Sequence, residues 1–102
     1  MAQFDVYRNP RGGNYAFLLD VQSDLLARLA TRAVVPLIAT KRYGVKPITR
    51  LNPTTKVGNA GYVIVVQELA AIPASELREK VTSLEARRGE IVAALDLLFT
   101  GI

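Results

Sequence analysis

Up to about residue 66, apolar positions alternate with polar ones or gather in short runs, and Gly, Pro and Asn stand between the runs. β-branched and aromatic types lead within the runs, which is the pattern of strands and turns. It predicts a short strand at Phe4–Tyr7, a turn-rich loop over Arg8–Asn14 and a returning strand at Tyr15–Val21; in the loop, Pro10 fixes φ and Gly12-Gly13 permits positive φ. Ala33–Thr40 is a nearly continuous apolar run, as expected of a strand covered on both faces. Pro36 within it has no N–H to give to a neighbour and so demands an edge, a bulge or a kink. Leu51–Val57 and Gly61–Val66 flank Gly58-Asn59-Ala60-Gly61, a hairpin with suitable turn residues. The first two thirds thus read as about five strands.

From about residue 68, Ala, Leu, Glu, Arg and Lys take over and a helical C-terminal third is predicted. Pro73 and Ser75 open a candidate short helix around Glu76–Lys80. Thr82-Ser83-Leu84-Glu85 fits a capping box, which places the start of a longer helix near Ser83. Leu84, Ile91, Leu95, Leu98 and Ile102 then recur at helical spacing, with Val92 and Phe99 beside them and Gly101 as the stop signal. The pattern contains no internal repeat, low-complexity tract or linker, so residues 1–102 read as one domain, mainly β with a C-terminal helix.

Composition narrows the chemistry. The 102 residues include neither Cys nor His, which removes thiolate and imidazole nucleophiles, imidazole proton relays and Cys/His metal sites. No cofactor is expected. Without disulfides the fold must rest on its core or on a second copy, which suits a reducing cytoplasm. No apolar run reaches the roughly 18 residues of a bilayer span, and the opening Met-Ala-Gln-Phe-Asp-Val-Tyr lacks the basic and apolar regions of a secretory signal. A cytoplasmic protein without a membrane partner is the expectation. The net charge of +4 is uneven: residues 1–60 hold nine basic and three acidic groups, a net of +6, and the remainder four and six, a net of −2. Such a stretch suits an acidic protein segment, phosphate or plain solubility equally well.

Several groups of residues carry candidate chemistry. Asp20 and Asp24 could hold a divalent cation or act as an acid/base pair. The plainer reading is a strand end at which Ser23 or Asp24 caps the following turn or helix, Leu25–Leu29, because an oxygen-only metal site needs more ligands than two. Arg28, Thr31 and Arg32 would serve a ribonuclease that steadies a phosphorane with Arg, and are otherwise basic residues of a solvated loop. Tyr7, Tyr15, Tyr43 and Tyr62 either stack bases or, as favoured here, cover the sheet edge. Gly12-Gly13 lacks the Lys-Ser/Thr of a phosphate loop. Leu97-Leu98-Phe99-Thr100-Gly101-Ile102 is an apolar tail where polar residues are usual: Phe99 and Ile102 either dock on their own sheet or a second subunit, or meet another protein.

These same residues carry a resemblance. Gln3-Phe4 with Val6-Tyr7, Asp20-Val21-Gln22-Ser23-Asp24 followed by Leu25-Leu26, Arg32 through Val35-Pro36-Leu37, Ile72-Pro73, and the terminal Phe99-x-Gly101-Ile102 occur in an order and spacing that, over essentially the entire chain, resemble the CcdB family of plasmid-addiction toxins, dimeric poisons of DNA gyrase. The resemblance implies an α+β fold that is mainly β: an SH3-like small barrel with a five-stranded antiparallel sheet and a long C-terminal α-helix, shared by CcdB and MazF toxins. It implies a homodimer and a toxin that is no enzyme, binding the DNA gyrase A subunit and trapping the cleaved gyrase–DNA complex. A CcdA-like antitoxin with a disordered acidic segment would neutralise it; no specific nucleic-acid binding is expected without that antitoxin. Carried over position by position, the gyrase contacts fall on Leu25, Leu26, Asp96, Phe99, Thr100, Gly101 and Ile102. Arg8, Arg11, Lys41, Arg42 and Lys46 are the candidates for antitoxin contact. Two positions depart from the family pattern: Thr100 stands where the well-known plasmid toxin has Trp, and Asp96 where it has Asn. An aromatic anchor lost from an interface typically costs about 2 kcal/mol. The alternatives are a MazF-like endoribonuclease, with Arg32 its best-placed phosphate contact, and a non-toxic chromosomal CcdB-like binding protein.

Overall fold

The computed structural model describes residues 1–101. Strand β1 (Asp5–Arg8) turns through the Gly12-Gly13 loop into β2 (Tyr15–Asp20), and β3 (Thr31–Ala39) returns antiparallel along β2. A single helical turn, α1 (Thr40–Tyr43), leads by an irregular stretch to β4 (Thr54–Val57) and β5 (Ala60–Ile64). Their link is Gly58-Asn59, with Gly58 at φ 64°, a left-handed backbone that glycine adopts without strain. Next come β6 (Ala70–Pro73) and β7 (Lys80–Ser83), and then the long helix α2 (Arg88–Thr100). Among the described residues the strands run β4-β5-β3-β2-β1-β7, with β6 also on β3, and every pairing is antiparallel. The sheet curls into an open half-barrel with α2 against one face.

The sheet is apolar on both faces. Phe4, Val6, Phe17, Leu19, Val35, Leu37 and Ile64 meet Leu84, Ile91 and Ala94 in the main core, while Tyr7, Leu18, Val34, Ile72 and Leu77 form a second cluster. Alternate residues of β2 and β3 feed opposite clusters, which is why β3 reads as an unbroken apolar run. The irregularity expected at Pro36 is a change of partner. Thr31–Val34 pair with β6 and Leu37–Ala39 with β5, so Pro36 falls between the two and its missing N–H costs no ladder bond. Its carbonyl accepts from Val65 N at 2.9 Å.

Three expectations for the C-terminal third are corrected. The segment after residue 68 contributes β6 and β7, so about five strands become seven among the described residues. Instead of a helix around Glu76–Lys80 there is a 3-10 turn at Ala74–Glu76, after which Lys80–Ser83 pairs with β1, Val6 standing opposite Thr82. Pairing with a strand distant in sequence outweighs local helix propensity. Thr82 is therefore extended and caps nothing. Ser83 Oγ accepts from Glu85 N at 3.2 Å, a 3-10 turn at Glu85–Arg87 follows, and α2 begins only at Arg88. At the other end the stop signal acts as predicted: Gly101 sits at φ 76° and its N–H donates to Leu97 O at 3.0 Å.

Candidate interaction surface

Between β2 and β3 the chain makes a 3-10 turn, Asp24–Leu26, that presents leucines to solvent: Leu25 is 94% exposed, Leu26 50% and Leu29 51%. Local hydrogen bonds hold the turn. Ser23 Oγ accepts from Leu25 N at 3.2 Å, Leu26 N donates to Ser23 O, Ala27 N to Asp24 O and Leu29 N to Leu26 O. Of the two capping candidates Ser23 is the cap, and Asp24 is occupied otherwise: its Oδ1 accepts from Gln3 N at 2.8 Å. Asp20 and Asp24 do not act as a pair, because the Asp20 oxygens go to Arg32 and to Gln22 N.

The tail offers the second apolar contact. Ile91 and Ala94 of α2 are buried, and Val92, Leu95 and Leu98 pack on the same core, so the predicted stripe turns mostly to its own sheet. Phe99 does not dock there and is 67% exposed. Asp96 and Gly101 are exposed, as is Thr100, whose Oγ1 donates to Asp96 O at 2.7 Å; Ile102 lies outside the described residues. Arg88 Nη1 donates to Gln3 Oε1, and Gln3 is bonded to Asp24, so the leucine turn is tied to the first turn of α2. Phe99 lies about 16 Å further along the helix axis. The leucine turn and the tail are thus held toward opposite ends of α2.

The basic candidates divide. Arg8 pairs with Glu79 at 2.9 Å, and Arg11 holds Glu76 by two bonds of 2.9 and 3.0 Å, which pulls the Glu76 carboxyl below its ordinary range. Lys41 and Arg42 lie on α1 and Lys46 on the stretch after it, all exposed, and none is in an ion pair among the described residues. Val45 and Ile48 are exposed beside them. Sequence reasoning missed what shapes this stretch: buried Asn52 accepts from Tyr43 Oη and Ile48 N and donates to Ile64 O and Gln67 Oε1. A groove of about 350 Å³, lined by Arg11, Tyr15, Leu18, Val34, Pro36 and Ile72 among others, opens on the face opposite α2.

Arg32 is not on a solvated loop. It lies in β3 opposite Ile72, 1% exposed, with Nε and Nη2 on Asp20 Oδ2 at 2.9 and 2.6 Å. Burial of Asp20 pushes its carboxyl above the usual carboxylate value, and the Arg32 and Gln22 hydrogen bonds pull it back only in part. Tyr7 is on the same face, 3.5 Å from Asp5; burial, then the Asp5 and Asp20 charges, raise its hydroxyl above the ordinary value. The other tyrosines cover the sheet: Tyr62 meets Phe17 edge-on at 5.1 Å, and Tyr15 and Tyr43 pack on Ile38, Val63 and Val65.

A half-barrel with one long packed helix, apolar residues exposed on a hydrogen-bonded turn and on the tail, and a buried arginine paired with Asp20 inside the sheet defines an α+β small-barrel domain. The chain belongs to the CcdB family, toxins of toxin–antitoxin systems, matching the CcdB protein family over residues 3–101. The fold is also similar to that of two solved mycobacterial structures. One is an endoribonuclease, 17% identical with a TM-score of 0.73, the match covering 96% of this chain and 89% of that one. The other is an endoribonuclease in complex with its cognate antitoxin, 18% identical with a TM-score of 0.74, covering 96% and 93%.

Proposed function

We propose that this protein is the toxin of a toxin–antitoxin pair, acting as a homodimer that binds the DNA gyrase A subunit and stabilises the cleaved gyrase–DNA complex without chemistry of its own. The observation that carries the reading is the exposure of Leu25, Leu26 and Phe99, the apolar positions on which the family resemblance places gyrase contacts. Large exposed apolar side chains on an ordered turn are what an interface core is built from. A second copy would supply another turn and another tail, letting one target span contacts that a single copy separates. Lys41, Arg42 and Lys46 would receive the acidic segment of a CcdA-like antitoxin; Arg8 and Arg11 would join by exchanging Glu79 and Glu76 for its carboxylates.

The second reading, an endoribonuclease, draws on the names of the two fold neighbours. Its leading residue does not support it, because the Arg32 guanidinium is inside the sheet and bound to Asp20. The test uses Gly101→Arg and a chain lacking its last three residues. Both are expected to keep the unfolding midpoint within a few degrees and to lose binding to purified gyrase A subunit. Binding that survives both would remove the tail from the target contact, and loss of the folded state would make the tail structural. If Arg32→Ala, still folded, abolished toxicity while gyrase binding persisted, the ribonuclease reading would take first place.

A further inference from the structure

We infer that Gln22 is a positioning residue that fixes how Leu25 and Leu26 are presented to the target, an inference resting on the reading of those leucines as a target contact. Gln22 uses both ends of its side chain. Oε1 accepts from Ala33 N at 3.0 Å, on the rigid strand β3, and Nε2 donates to Leu26 O at 2.9 Å, inside the exposed turn. Its own N–H donates to Asp20 Oδ1 at 3.0 Å, and Asp20 is anchored through Oδ2 to Arg32. A chain of hydrogen bonds therefore runs from the buried ion pair through Gln22 to the backbone of Leu26, at the base of the most exposed leucine of the molecule's described residues.

The residue type follows from that geometry. One group must accept at one end and donate at the other, which an amide does and a carboxylate does not. Asn is one methylene shorter and does not span the same gap. Leu25 has almost no packing of its own, so nothing but the backbone of the turn dictates where its side chain points. A turn held in place spares the target part of the ordering cost of binding, and loosening it returns that cost as lost affinity. The sequence motif Asp20-Val21-Gln22-Ser23-Asp24 then has a use for each polar member: Asp20 anchors, Gln22 clamps, Ser23 caps and Asp24 ties the turn to Gln3.

The experiment compares Gln22→Ala, Gln22→Glu and Leu25→Ala with the parent protein. It measures affinity for purified gyrase A subunit, amide hydrogen exchange residue by residue, and the thermal midpoint. Gln22→Glu is near-isosteric and keeps the acceptor for Ala33 N, but it replaces the donor to Leu26 O with a carboxylate oxygen that repels that carbonyl, so it breaks the clamp at the turn end alone. Both Gln22 variants are expected to weaken binding about tenfold, roughly one lost clamp's worth at 1.4 kcal/mol per decade. They should also speed exchange of the Leu26, Ala27 and Leu29 amides while those of β2 and β3 keep their rates, apart from the Ala33 amide in Gln22→Ala, which loses its acceptor. Parent-like affinity in Gln22→Glu, with Leu25→Ala impaired, would overturn the positioning role and leave the target reading standing. Parent-like affinity in Leu25→Ala would overturn the target reading and the inference with it. Exchange accelerated throughout β2 and β3 in Gln22→Glu would make Gln22 merely structural and overturn the inference too.

Discussion

Arg32 shows how much one residue's setting changes its meaning. In the sequence it is one of several basic residues beside an apolar run; in the fold, its guanidinium is sealed between β2 and β6 against Asp20. A buried pair contributes little net stability, but removing one partner leaves an uncompensated charge. Arg32→Met is therefore expected to lose about 3–5 kcal/mol at neutral pH, measured by urea unfolding. The loss should depend on pH with a definite sign. Without Arg32, the Asp20 carboxyl, already raised from 3.8 by burial, rises further, so the folded state holds its proton more tightly than the unfolded chain. Stability from this group is then full below the unfolded value and is lost as pH rises through the folded one. The defect should accordingly be smallest in acid and grow toward neutrality, and Asp20→Leu in the same chain should relieve part of it. A defect that is constant from pH 3 to 7, taken as about that range, would contradict the ion-pair account.

At the scale of elements, the stretch between α1 and β4 has few packed side chains and depends on Asn52. Asn52→Ala removes the partners of Ile48 N, Ile64 O, Tyr43 Oη and Gln67 at once. The expected cost is about 2–3 kcal/mol, with faster amide exchange over residues 44–50; unchanged exchange there would show that the stretch is held by something else. What the sequence made legible, and what it hid, divides along the same physical line. Strands β1, β2, β3 and β5 and the β4–β5 hairpin announce themselves, because their apolar period and turn residues are local signals. Strands β6 and β7 do not, since Ala70–Pro73 and Lys80–Ser83 become strands by pairing with β3 and β1. Ser23 is readable as a cap, whereas Gln22 is not readable as a clamp: its partners Ala33 N and Leu26 O come together only when the turn closes on β3. Thr82 misleads because a capping box is a pattern of types, and pairing with Val6 takes precedence over it.

At the scale of the whole molecule, one face of the half-barrel carries α2 and the main core, and the other carries the second apolar cluster and the open groove. Leu25, Leu26 and Leu29 are exposed toward one end of α2 and Phe99 toward the other, and exposed Lys41, Arg42 and Lys46 lie on and after α1, beside exposed Val45 and Ile48. On the proposed function, this arrangement would let a target begin binding through apolar contact at the leucine turn and tail, and an antitoxin through charge on and after α1. Thr100, in place of a large aromatic, makes the strength of the target contact the quantity on which the proposed function depends. The most direct measurement mixes the purified protein with DNA gyrase, supercoiled plasmid and ATP, then adds detergent and protease and resolves the DNA. Gyrase poisoning predicts linear plasmid that appears only when both protein and gyrase are present; plasmid that stays unbroken, under conditions where a known gyrase poison linearises it, would contradict the central claim.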